Sequence, residues 1–158
     1  IGAFSDVLHL APEYAPALLA RAECSEKLSC YGPASVDCSS FLKGYEKYYE
    51  IVGAQRSEPI THEAVASSAL WLRGLCYYRL QDYDLAQEDF TACIDLAQEE
   101  QYFALHYRAK CHMRNKRWYD CIVDNTTVIE ARPHLPGPFK DRATANEVVG
   151  RAEDAKNE

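Results

Sequence analysis

The sequence is first narrowed by what it lacks. No apolar run approaches the ~20 residues that a membrane-crossing helix needs, so no insertion into a bilayer is expected. Cys-x-x-Cys pairs are absent and the five histidines are scattered, which removes the ligand spacing of a zinc site. No metal and no cofactor are expected. There is no glycine-rich phosphate loop. Glu23 with Glu88, or His106 with Cys111, lacks an orienting third residue and an oxyanion hole, so the chain is not expected to be an enzyme. Bases are outnumbered by acids, 17 to 24, and a net charge of −7 disfavours a phosphate backbone as partner. The short basic knot Arg114-Asn115-Lys116-Arg117-Trp118 reads as a charged turn at a helix end, so no nucleic acid is expected. The opening IGAFSDVLHLAP has neither a charged leader nor a small-residue cleavage site and is not expected to be a signal peptide.

What is present is ordinary globular usage in a chain of 158 residues, 47% apolar and 26% charged. A chain of this size removes roughly 70% of its unfolded surface from water, enough to hold one domain or a few repeats without staples. Seven prolines and seven glycines sit mostly where helices should stop. The seven cysteines are an odd number. Cys24, Cys76 and Cys111 hold one place in a repeated phrase, and Cys93 and Cys121 fall where a helix wants a small apolar residue. They read as buried small hydrophobes in a reducing, cytoplasmic compartment. Asn125-Thr126-Thr127 matches a glycosylation acceptor but lies inside an amphipathic helical run, and is read as chance.

Self-comparison is the informative step. ALLARAEC (Ala17 to Cys24), ALWLRGLC (Ala69 to Cys76) and ALHYRAKC (Ala104 to Cys111) share AL-x-x-R-[AG]-x-C. Each phrase is followed at fixed spacing by an aromatic (Tyr31, Tyr83, Trp118), a small residue (Ala34, Ala86, Cys121) and an aspartate (Asp37, Asp89, Asp124). Each copy reads as two antiparallel helices. The first carries Leu70, Gly74, Tyr77 and Leu80 on its apolar face, and the second Ala86, Phe90, Cys93, Ile94 and Ala97. Small residues at Gly74, Ala109, Ala86 and Cys121 let two backbones approach, and the aromatic fills the wider end.

These phrases resemble the tetratricopeptide repeat family, over roughly residues 1 to 133. The resemblance is carried by Leu70 to Ala97, L-x3-G-x2-Y-x5-Y-x2-A-x3-F-x2-C, and by Ala104 to Pro133. It departs from the family at Asn125, where Phe90 has a large apolar counterpart, and at Gln98, where a proline normally closes the repeat. The first copy is the most divergent, with Ser25 and Cys38 in aromatic places. The resemblance implies an all-α superhelix of about three helix hairpins, with function residing in what its concave groove holds. ALWLRGLCYY and ALHYRAKC are also similar to the repeat portions of J-domain co-chaperones, although no His-Pro-Asp tripeptide occurs.

The expected organisation has residues 1–12 as the second helix of a truncated preceding repeat, with Phe4, Val7 and Leu8 on one side. A helix without its partner would make the chain a fragment of a longer array, within a larger assembly. Residues 15–53 form a first repeat with a lengthened second helix, 54–60 a loop, 61–98 a second repeat and 100–133 a third. After the break Pro136-Gly137-Pro138, residues 138–156 form a polar capping helix.

Arg21, Arg73 and Arg108 each stand 16 residues before an aspartate, which places each pair across the two helices of one repeat. An ion pair within the repeat is favoured over a ligand-binding column, because each arginine adjoins a small packing residue. With Leu70, Gly74 and Tyr77 turned inward, the groove is expected to show Trp71, Leu72, Leu75, Tyr78 and Arg79. From the next copy it would show Phe103, His106, Tyr107, Lys110, Met113 and Arg114. This aromatic surface with a cationic end suits a protein or peptide partner carrying apolar side chains and an acidic group. The primary expectation is a non-catalytic interaction scaffold, and the alternative is the repeat part of a chaperone adaptor. Chaperone-binding modules of the family place Asn before the repeat's Arg to clamp two carboxylates. Here Ala20, Leu72 and Tyr107 stand there.

Overall fold

The computed structural model describes residues 1–53, 62–96 and 102–157, the side chains of 47–53, 62 and 153–157 excepted. Among the described residues there are eight α-helices and no strand. They are α1 (Gly2–Leu10), α2 (Ala15–Lys27), α3 (Tyr31–Gly53), α4 (His62–Leu80), α5 (Tyr83–Leu96), α6 (Tyr102–Arg114), α7 (Trp118–Ala131) and α8 (Pro136–Asn157). The expected loop at 54–60 and the packing of Ala97 and Gln98 fall outside the described residues.

Three hairpins result, α2–α3, α4–α5 and α6–α7, each joined by a very short turn and packed along its length. The turns are built alike. Ser29, Gln81 and Lys116 all have positive φ (62°, 68° and 59°) and stand at the same place, eight residues after each repeated arginine. In each, the next residue's N–H reaches back to a carbonyl of the last helical turn: Cys30 to Ser25 (2.8 Å), Asp82 to Tyr77 (3.0 Å), Arg117 to His112 (2.8 Å). With the positive-φ residue's own N–H bonded to the carbonyl three residues back (Ser29 to Glu26, Gln81 to Tyr78, Lys116 to Met113), this pair of backward bonds ends each α-helix and satisfies its last carbonyls. None of the three is glycine, so each bears the steric cost of a left-handed L-residue.

Inside each hairpin the repeated small residues lie in the packed interface. Ala22 and Ala109 on the first helices, and Ala34, Ala86 and Cys121 on the second, are all fully buried. At Gly74 the approach is close: a Cβ there would lie 2.9 Å from Phe90 Cε1 and 3.1 Å from Asp89 Cβ. Phe90 is fully buried and Asp89 is tied by an ion pair, so neither can give way cheaply. Burial also holds the thiols in their neutral form, pushing Cys38 and Cys111 up to about 12 and Cys76 and Cys121 up to about 11. All seven cysteines are free thiols. No helix among the described residues is long and apolar enough to cross a membrane.

Three expectations need correction. Pro136-Gly137-Pro138 is the first turn of α8, not a break before it. Proline fits there because the first helical N–H groups have no intrahelical acceptor. Leu80 is 43% exposed, because α4 is ending there and the turn carries it off the packed face. Val7 is likewise exposed, whereas Leu8 is buried and Phe4 packs beside it.

Candidate partner-binding groove

The arginines organise the stack. Each lies flat against its aspartate in a two-pronged contact: Arg21 to Asp37 (2.8 and 2.7 Å), Arg73 to Asp89 (2.8 and 2.6 Å), Arg108 to Asp124 (2.9 and 2.8 Å). The ion pair within the repeat is therefore present in all three copies. Its third donor, which the spacing did not reveal, points out of the repeat. Arg73 Nη1 donates to Ser39 on α3 (3.1 Å) and Arg108 Nη1 to Thr91 on α5 (3.3 Å). Each hydroxyl sits two residues after the preceding repeat's aspartate. The register extends to both end helices: Arg21 donates to Ser5 on α1 (3.3 Å), and Arg142 on α8 to Thr126 on α7 (3.2 Å). Helix α1 thus stands to α2 as α3 stands to α4, and α8 occupies the place of a further first helix.

First helices also meet one another. Helix α2 packs on α4 and α6 on α8, and Trp71 of α4 meets Tyr107 of α6. Close contact on that side makes it the inner, concave face. Three positions recur at each joint: the residue two before an arginine, the residue 17 after it, and the residue one before the next arginine. The first joint is aliphatic, with Leu19 packed against Cys38 and Leu72. The second is aromatic: Trp71, Phe90 and Tyr107 lie with ring centroids 5.3 to 5.7 Å apart. The third is polar, with His106 Nε2 3.5 Å from Asp141 Oδ2 and the fully buried Asn125 beside it. Asn125, a departure from the family pattern, therefore has polar company.

This positional rule corrects part of the expected partner surface. Leu72 is buried in the first joint, Trp71 and Tyr107 are half-buried in the second, and His106 is half-buried in the third. They hold repeats together. Leu75 is half-buried, and Arg79 and the 67% exposed Phe103 stand apart from the cleft described next.

Four expected residues do converge. Tyr78, Lys110, Met113 and Arg114 line a cleft of about 490 Å³ on the concave side, joined by Lys116, Trp118 and Asp141. Tyr78 rests edge-on against Tyr83 and Tyr107, with centroids 5.6 and 5.4 Å away, and Lys110 Nζ sits 5.2 Å from the Tyr107 ring centroid. Burial pushes the Tyr78 phenol up, and the Arg114 guanidinium beside it pulls the other way. Lys116 was legible only as turn chemistry, and Trp118 as that and as the repeat's packing aromatic. Asp141 enters because α8 is in repeat register.

Residues 67–100, from within α4 through α5 to residue 100, match the tetratricopeptide repeat family model. The chain is thus similar, over this stretch, to a tetratricopeptide repeat. Its repeats share their fold with the crystal structure of MamA (TM-score 0.73, 14% identity, 98% of this chain and 79% of that one). They also superpose on the first repeat domain of Spaghetti (RPAP3) bound to the HSP90 peptide SRMEEVD. That match has a TM-score of 0.68 and 14% identity, over 86% of this chain and 93% of that one. The second repeat domain of human RPAP3, in complex with the HSP70 peptide SGPTIEEVD, matches at TM-score 0.63 and 16% identity, over 84% and 94%. A sequence search of curated proteins gave no match. The repeats seen in sequence as an all-α superhelix are thus an all-α superhelix in space.

Proposed function

We propose that this protein is a non-catalytic interaction scaffold whose concave cleft takes up a partner segment bearing an acidic group. One observation carries the reading. On a chain of net charge −7, Lys110, Arg114 and Lys116 gather at one cleft with aromatic walls, and Asp141 is the one carboxylate among its lining residues. A local cation cluster on an acidic surface selects for anionic partners, and its aromatic walls add apolar contact. The unpaired buried thiols fit residence in a reducing, cytoplasmic compartment.

A narrower reading, an adaptor for chaperone tails, is favoured by the two peptide-bound neighbours, whose peptides both end in Glu-Glu-Val-Asp. The absence of asparagine before Arg21, Arg73 and Arg108 opposes a two-carboxylate clamp of the usual kind. Lys110 and Arg114 would instead hold a single carboxylate at the cleft.

Fluorescence polarisation with labelled SRMEEVD, and with the same peptide carrying glutamine and asparagine for its acids, separates the possibilities. The acidic peptide is expected to bind, more weakly as salt rises. Arg114→Ala is expected to cost about tenfold in affinity, as the loss of one charge-assisted hydrogen bond does. Binding of other acidic peptides but not this one would leave the scaffold and remove the adaptor. Equal affinity for the acidic and neutralised peptides would overturn both.

A further inference from the structure

We propose that the cleft contains a second subsite, built on Asp141, for a basic side chain, so that the partner segment carries a base as well as an acid. The inference rests on the reading of this cleft as the partner site and names the chemistry of the segment it takes up.

Two unbalanced sets of groups meet here. Among the described residues no carboxylate stands within ion-pair distance of Lys110, Arg114 or Lys116. Asp141, which α8 brings to the same cleft, has no lysine or arginine within that distance either. Its Oδ2 is buried without a hydrogen-bond partner, and His106 Nε2 at 3.5 Å is too far to serve as one.

The joint behind Asp141 is short of donors as well. Asn125 is fully buried, and its Nδ2 donates to the Cys121 carbonyl at 3.0 Å, which leaves Oδ1 as the free end of the amide. That Oδ1 has no partner. His106 turns Nε2 toward the Asp141 carboxylate. A neutral ring with its proton on Nε2 has only a lone pair on Nδ1, which is also buried and unpartnered. The surplus is one of acceptors, and Asp141 is the acidic member of the set. It is also the member that lines the cleft, with 18% of its side chain exposed. The equivalent places in the first two joints hold Leu72 and Tyr107, which offer a base no carboxylate.

A charged donor suits Asp141 better than a neutral one, because a hydrogen bond between ions is about twice as strong. The arginine–aspartate pairs within the repeats show the two-pronged contact that a guanidinium makes with such a carboxylate. Met113 and Trp118 share the cleft and offer apolar surface to the stem of a long basic side chain. A lone base would be repelled by the three cations. One tethered to an acid that those cations hold would not, so the cleft selects a segment with charges of both signs.

Selection of phage-displayed random heptapeptides on the immobilised full chain reads both subsites. On the wild type, acidic and basic residues are each expected to rise at least about threefold over the unselected library. Asp141→Asn should keep the acidic enrichment and lose the basic one, and Lys110→Ala/Arg114→Ala should lose the acidic one. Asp141→Lys should select peptides with a further acid where the wild type selects a base. By fluorescence polarisation, changing the base of the strongest peptide to glutamine should cost about tenfold on the wild type and less than about twofold on Asp141→Asn. Basic residues at library frequency on the wild type, or a basic enrichment that survives Asp141→Asn, overturns the subsite while an acidic enrichment leaves the scaffold reading standing. No acidic enrichment on the wild type overturns the reading of the cleft, and the subsite with it.

Discussion

Phe90→Ala is expected to lower the unfolding free energy by about 3–5 kcal/mol, the range for emptying a fully buried aromatic site. Phe90 has no exposed surface, and its ring meets Trp71 and Tyr107 across the second joint. Its edge also abuts the space over Gly74, where no side chain exists to collapse into the void. The site can therefore relax little, which places the loss toward the upper end of that range. Urea denaturation followed by far-UV circular dichroism measures it. A loss below about 1 kcal/mol at an unchanged m-value would mean that the second joint is not a packed core.

Arg73→Met should cost about 2–4 kcal/mol at neutral pH. The value lies a little below that for breaking a fully buried pair, because the arginine side chain keeps 22% of its surface exposed. The variant strands Asp89, whose carboxyl burial already pushes up and Arg73 pulls down. Without the guanidinium, burial acts alone and the folded carboxyl rises further. A group raised on folding is stabilising to the folded state when protonated, so the gap between wild type and variant should narrow as pH falls from about 7.5 toward 5. Ser39 would lose its donor as well. Adding Asp89→Leu to Arg73→Met should recover part of the loss. A coupling energy near zero in that double-mutant cycle would contradict the geometry.

Much of the fold was legible because a solenoid writes its contacts at fixed intervals. The arginine-to-aspartate spacing gave three ion pairs, and the small residues marked the close approaches, since both depend on positions within one hairpin. The groove was read less well. Assigning everything opposite Leu70, Gly74 and Tyr77 to the surface ignored the neighbouring first helix, which covers Leu72, Trp71, Tyr107 and His106. That cover depends on how repeats stack, and no single helix records it. Comparing the −2 and −1 positions of successive arginines would have found it, and would have shown the polar set of the third joint beside Asn125. The PGP tripeptide misled for a different reason: proline stops a helix from inside but is tolerated in its first turn.

The proposed function rests on the cleft between Tyr78, Lys110 and Arg114, and nuclear magnetic resonance locates binding there or elsewhere most directly. Titrating unlabelled SRMEEVD into the uniformly 15N-labelled chain is expected to shift amides of α4, α6 and the start of α8 around those residues, leaving α3 and α5 still. Shifts confined to the outer helices α3, α5 and α7, or equal shifts with Lys110→Ala/Arg114→Ala, would contradict the account.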